Sequence, residues 1–131
     1  MKELNSKKKT PVIATKTVSK KDISRWGKLT PVKKKKNYFL IKNVIEKPKI
    51  GSIKSNYAII GRYILPSKIF GEIKKIKPGK GGEIHITDAI KNLIFKNQKF
   101  YANIFRGKYL DCGTLSGYIN SGLKISGEKK Q

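Results

Sequence analysis

The sequence predicts an α/β fold, and three observations lead to it. Tyr57 to Leu65 is an apolar run broken only by Gly61 and Arg62, the pattern of a strand covered on both faces. Directly after it, Ile69, Phe70, Ile73 and Ile76 recur at helical spacing, as a helix lying on that sheet requires. Period-two alternation marks further strands in Pro11 to Val18 and in Phe100 to Phe105. A chain of 131 residues has room for one domain, burying roughly two thirds of its unfolded surface, and not for two.

Taken in order, Met1 to Lys9 is polar and lysine-rich without periodicity, so residues 1–10 are expected to fray ahead of a unit spanning residues 11–125. Asp22 to Trp26 fits one helical turn, with Ser19 and Ser24 as candidate caps. Gly27 either closes that turn in a left-handed conformation or, lacking a side chain, lets a ligand approach the backbone. Leu29 to Ile45 reads as two extended segments around Lys33 to Lys36, with Asn37 at the turn. Lysines at such a tip stay solvated and keep an edge from pairing with other chains. Tyr57 to Leu65 is then the candidate central strand, and Gly61 marks a bulge or a close backbone approach.

Pro66 suits the first turn of the helix that follows, where its missing N–H leaves no gap. Pro78 to Gly82 is a flexible loop without the spacing of a phosphate-binding P-loop. Thr87 is the expected N-cap of a second helix carrying Ala89, Ile90, Leu93 and Ile94, and Asp88 suits its N-terminus. His85 has no second histidine or a nearby cysteine to make a metal site, which leaves it a structural or solvent-facing role. Asp111 could cap the next helix or bind a metal, and Thr114 can also cap it. Leu115, Tyr118, Ile119, Gly122 and Leu123 form the apolar stripe of that third helix, and residues 126–131 form a polar tail.

The net charge of +23 would attract polyanions, yet only Arg25, Arg62 and Arg106 are arginines. Scattered ammonium groups lack the planar fork that suits base edges and bidentate phosphate contacts. The charge is therefore weak evidence for a nucleic-acid partner. Cys112 is the only cysteine, which excludes an intrachain disulfide and fits a reducing, cytoplasmic setting. No apolar run approaches the length of a membrane span, and no apolar signal core follows Lys7 to Lys9.

Glu46 and Lys47 stand where the apolar part of Tyr38 to Ile45 stops, just before Pro48. In an extended segment their side chains point to opposite faces and so address different parts of a bound molecule. On spacing alone a solvated strand end explains them better. Set together, Val44-Ile-Glu-Lys-Pro48, Asn56-Tyr-Ala-Ile-Ile-Gly-Arg-Tyr-Ile-Leu65, Gly81-Gly-Glu-Ile-His-Ile-Thr-Asp-Ala-Ile90 and Asp111-Cys-Gly113 followed by Gly117-Tyr118 resemble one family in one order. That family is the bacterial UTP:glucose-1-phosphate uridylyltransferases, also called UDP-glucose pyrophosphorylases. Ser24-Arg-Trp-Gly27 is similar to the family's Ser-Lys/Arg-Tyr-Gly segment. His85 stands where glutamine is usual, and Trp26 where tyrosine is.

The resemblance covers about Pro11 to Leu123 and lacks the family's opening half, with its Gly-x-Gly-x-Arg loop, catalytic lysine and Mg²⁺-holding aspartate. It implies the C-terminal, sugar-phosphate-binding part of a Rossmann-like nucleotidyltransferase, an incomplete domain with a mixed sheet and flanking helices. By the same resemblance Glu46 accepts hydrogen bonds from glucose hydroxyls, Lys47 contacts the phosphate, Gly27 lets the backbone meet the sugar, and Asp111 is a second carboxylate for Mg²⁺. The expected ligands are glucose 1-phosphate or UDP-glucose. An apolar edge at Tyr57 to Leu65 would then seek a partner, either a separately encoded N-terminal half or another copy. The competing readings are a basic nucleic-acid-binding module and a remnant that assembles with a full-length relative.

Overall fold

The computed structural model describes all residues except 20–22, 50, 53, 80, 81 and 129–131. Asp22, Lys80 and Gly81, parts of the expected turn, loop and third motif, lie outside the described residues. The chain opens with α1 (Lys2–Lys8), then β1 (Val12–Thr17) and a 3₁₀ turn (Ile23–Arg25). β2 (Lys28–Val32), β3 (Tyr38–Ile45) and β4 (Tyr57–Ile64) follow. Helices α2 (Ile69–Ile73) and α3 (Ile86–Phe95), strand β5 (Tyr101–Ile104) and helix α4 (Leu115–Glu128) complete it.

The sheet is mixed and its pairings close in the order β1-β4-β2-β3-β5. β1 runs parallel to β5, Val12 opposite Tyr101, and all other pairs are antiparallel. The expected hairpin around Lys33 to Lys36 is β2 and β3. Ile13 pairs with Tyr63 but Thr15 with Ile59, so β4 spends two extra residues there, and Gly61 supplies the left-handed φ of 73° inside that bulge.

One expectation about β4 changes. Tyr57, Ala58 and Ile59 are buried, but Gly61 and Arg62 are exposed at the bulge, while Tyr63 and Leu65 pack against the core again. On one side β4 pairs with β1; on the other, β2 meets only Tyr57 and Ala58, and the Gly27 carbonyl accepts from Ile59.

The core gathers Ile13 of β1, Leu29 of β2, Phe39 of β3, Ile90 of α3 and Phe100. Each such side chain, fully buried, contributes about 1.5–3 kcal/mol before entropy. Lys28 is 1% exposed; its Nζ donates to the Ser55 carbonyl at 3.4 Å, and burial pushes its pKa below 10.5.

Within residues 1–10, Lys2–Lys8 form α1. Leu4 is buried, Glu3 stands in the first turn of α1 and Lys7 and Lys8 in the last, all favourable to the helix dipole. Lys9 then adopts the left-handed cap conformation, and Asn5 Nδ2 donates to the Thr10 carbonyl at 2.7 Å. α2 is shorter than its apolar spacing suggested, and Phe70 faces out at 68% exposure. At the other end α4 continues to Glu128, into the stretch expected as a tail. Among the described residues no helix is long and apolar enough to cross a membrane.

Candidate functional site

β3 ends at Ile45, and Lys47 turns the chain with a φ of 38°. Glu46 and Lys47 therefore diverge through a left-handed turn, not through strand alternation. Lys47 is exposed and Glu46 half-buried. The Glu46 carboxylate is fixed from the far side of the chain: Thr87 Oγ1 donates to Glu46 Oε2 at 3.0 Å. Thr87 is consequently not the N-cap of α3. That position belongs to His85, which makes no side-chain capping bond, while Thr87 lies buried as the second residue of the helix.

Gly27 follows the 3₁₀ turn, and its φ is not left-handed. Left-handed closure is therefore excluded, and what crowds this buried glycine is the protein's own side chains. A Cβ there would lie 2.9 Å from Glu46 Oε2, 3.1 Å from Thr87 Cγ2 and 3.2 Å from Ile59 Cδ1. Its carbonyl accepts the Ile59 N–H at 2.9 Å, locking the glycine to β4. Gly27, Glu46 and Thr87 thus form one tight cluster at the mouth of the sheet. Tyr63 belongs to the same neighbourhood: burial, and secondly the Glu46 charge, push its phenol up to about 12. Neither Thr87 nor Tyr63 carried a signal in the sequence for this contact, because each is brought to Glu46 only by folding.

Glu46 and Lys47 line an open cleft of about 720 Å³ with Ser24, His85, Asp88 and Lys91. That volume suits a small ligand. Carboxylates that accept from hydroxyls alternate there with ammonium groups that attract phosphate. His85 is a wall of this cleft, with Nε2 4.0 Å from Glu83 Oε2.

Asp111 lies elsewhere. It lines a second cleft of about 580 Å³ with Arg25, Trp26, Tyr109 and residues of α4, whereas the neighbouring Ser24 lines the first. Arg25 Nη2 stands 3.5 Å from Asp111 Oδ2, and Asp111 Oδ1 accepts the Gly113 N–H at 3.1 Å. Thr114, not Asp111, caps α4, its Oγ1 accepting from the Gly117 N–H at 3.1 Å. Trp26 meets Tyr109 edge to face at 5.4 Å, and Lys16 Nζ sits 4.2 Å over the Tyr109 ring. Burial, and then the charges of Asp111 and Cys112, raise the Tyr109 phenol above its usual value. Among the described residues no three His, Cys, Asp or Glu side chains converge. Asp111 fits Mg²⁺ as one oxygen donor and does not by itself make a site.

Residues 1–127 match the family described as Nucleotidyl transferase. The chain belongs to the nucleotidyl transferase family. Among similar members, the UTP–glucose-1-phosphate uridylyltransferase of Mycoplasma genitalium is 43% identical over 103 residues, 77% of this chain and 35% of that protein. The enzyme of the same name from Bacillus subtilis is 34% identical over 120 residues, 92% of this chain and 41% of that one. A solved apo UDP-glucose pyrophosphorylase superposes with a TM-score of 0.90 at 34% identity, over 98% of this chain and 47% of that one. Another, complexed with UDP-glucose, gives 0.88 at 35% identity, over 98% and 48%. This nucleotidyl transferase chain thus spans less than half the length of each, and its domain is a partial one. The nucleic-acid-binding reading is not favoured beside these matches.

Proposed function

We propose that this chain is the sugar-phosphate-binding part of a UTP:glucose-1-phosphate uridylyltransferase, a cytoplasmic enzyme that makes UDP-glucose and pyrophosphate. The observation that carries the reading is the Gly27, Glu46 and Thr87 cluster beside Lys47, a carboxylate held at a fixed angle next to an exposed ammonium. Glu46 accepts hydrogen bonds from glucose hydroxyls, and a sugar lacking them leaves that carboxylate unpaired, which gives selectivity. Lys47 meets the phosphate as a point charge. Gly27 keeps the space at Glu46 open.

In the complete reaction an oxygen of the sugar phosphate attacks the α-phosphorus of UTP in line. The bond from that phosphorus to the bridging oxygen breaks, and pyrophosphate leaves. Catalysis then rests on positioning and on neutralising phosphate charge. Bound Mg²⁺ would supply charge neutralisation, and Asp111 would be the residue of this chain that helps to hold it. The isolated chain, without a nucleotide-binding half, is inactive by this reading.

The test measures UDP-glucose formation by the chain alone and with a separately supplied nucleotide-binding half, and glucose 1-phosphate binding by the chain. Activity only in the mixture, and sugar-phosphate binding reduced at least tenfold by Glu46→Gln and by Lys47→Ala, supports the proposal. Full activity from the chain alone, or binding indifferent to both substitutions, overturns it.

A further inference from the structure

Helix α4 is turned the wrong way round for a finished globular domain. At 3.6 residues per turn, Leu115, Tyr118, Ile119 and Leu123 fall along one side, and they are 77%, 65%, 52% and 63% exposed. Ser116, Gly117, Asn120, Ser121 and Lys124 fall along the other, and these face the chain's own cleft beside Arg25 and Trp26. Ser121 is the residue that α4 buries, with Oγ donating to the Asp111 carbonyl at 3.5 Å. A surface helix ordinarily buries its apolar stripe and presents its polar one to water. Here the side that meets the rest of the chain is the polar one, through buried Ser121 and half-buried Gly117, with Ser116, Asn120 and Lys124 exposed at the rim of the cleft, so the apolar stripe is laid out for something else to cover.

Two observations identify the occupant. The superposition on a solved UDP-glucose pyrophosphorylase takes in 98% of this chain, α4 included, so the same orientation of α4 exists in a longer protein. This chain matches only 47% of that protein, which leaves more than half of its length to lie against surfaces that are bare here. A second copy is a poorer candidate, because each copy brings a net charge of +23 and like charges oppose that approach. We infer that the Leu115, Tyr118, Ile119 and Leu123 face of α4 is the seam onto which the polypeptide corresponding to the unmatched part of these relatives docks, whether on this or another chain. Apolar side chains supply the contact, and the inward polar face of α4 keeps the Asp111 cleft lined from behind.

The inference rests on the proposed function for the identity of the partner, and the experiment separates the two. The chain is mixed with the unmatched part of the Mycoplasma genitalium relative, and complex mass is followed by sedimentation beside UDP-glucose binding. The expected result is a one-to-one complex that Ile119→Lys with Leu123→Lys weakens at least tenfold. Phe95→Lys, at an equally exposed apolar residue on α3, leaves it unchanged, and circular dichroism shows all variants folded. No complex, or one indifferent to the α4 substitutions, overturns the seam. So does a homodimer, or binding to phosphatidylglycerol vesicles, that those substitutions abolish. A complex that assembles through α4 without binding UDP-glucose supports the seam and defeats the functional reading. UDP-glucose binding without assembly does the reverse.

Discussion

At the level of single residues, the cluster around Glu46 makes two measurable commitments. Gly27→Ala puts a methyl group 2.9 Å from Glu46 Oε2, and relieving it moves the carboxylate off Thr87. The expected cost is about 1–3 kcal/mol, as for overpacking elsewhere, read by denaturant unfolding. An unchanged midpoint would mean the cluster has slack. The second commitment concerns Tyr63, whose phenol is at about 12. Glu46→Gln removes the smaller of its two causes, so the phenolate absorbance should titrate below 12 but still above the ordinary 10.0. Between 10.0 and about 12 the folded protein keeps a proton that the unfolded chain has lost, so stability falls as pH rises through that window. Tyr63→Phe should make that slope shallower, leaving the contributions of Tyr109 and Lys28. Of this cluster, Glu46 and Gly27 were visible through the ordered motifs shared with the family, since spacing alone left each with a structural reading. Thr87 looked like a helix cap, since a threonine before an acid near a helix start carries no mark of a partner 41 residues away.

Secondary elements join through few polar contacts, and the one between α2 and α3 is the clearest. Lys96 Nζ, just past α3, donates to Glu72 Oε1 of α2 at 2.7 Å, with Lys75 Nζ at 3.6 Å from the same oxygen. The Lys96 hydrogen bond holds the Glu72 carboxyl below its ordinary 4.5. A depressed carboxyl leaves the folded state binding fewer protons than the unfolded one. Its stabilisation is therefore present above 4.5 and is lost as pH falls below that value. Lys96→Met should lower the melting temperature at neutral pH and flatten the acid limb of the stability profile. An acid limb identical to that of the parent would assign it to other groups. The β2–β3 hairpin was legible because a block of four lysines cannot be buried. α1 was not, because a single buried leucine with well-placed charges gives no periodicity to read. α2 was overestimated for the opposite reason: Phe70 keeps helical spacing although it faces water.

Over the whole molecule the excess of positive charge works against compactness. Adding salt from about 0.01 M to about 0.15 M shortens the Debye length from about 30 Å to about 8 Å and should raise the melting temperature by several degrees. A neutral osmolyte of equal osmolality serves as the control, and a melting temperature independent of salt would show the lysines to be already well separated. The α/β class and the partial nature of the domain were legible, the first from periodicity and the second from motifs in order with others absent. Closure of the sheet was not, because strand neighbours far apart in sequence leave no local trace.

That closure has a consequence in time. β1 is bounded by β4 and β5, and Val12 meets Ile64 on one side and Tyr101 on the other. During synthesis the first strand emerges long before either neighbour exists, and its parallel bonds wait until residue 101 has left the ribosome. Burial of Val12 and Ile13 is a late event. An arrested nascent chain with β5 still inside the ribosome should show the β1 amides that face β5 exchanging with solvent, and release of the complete chain should protect them together.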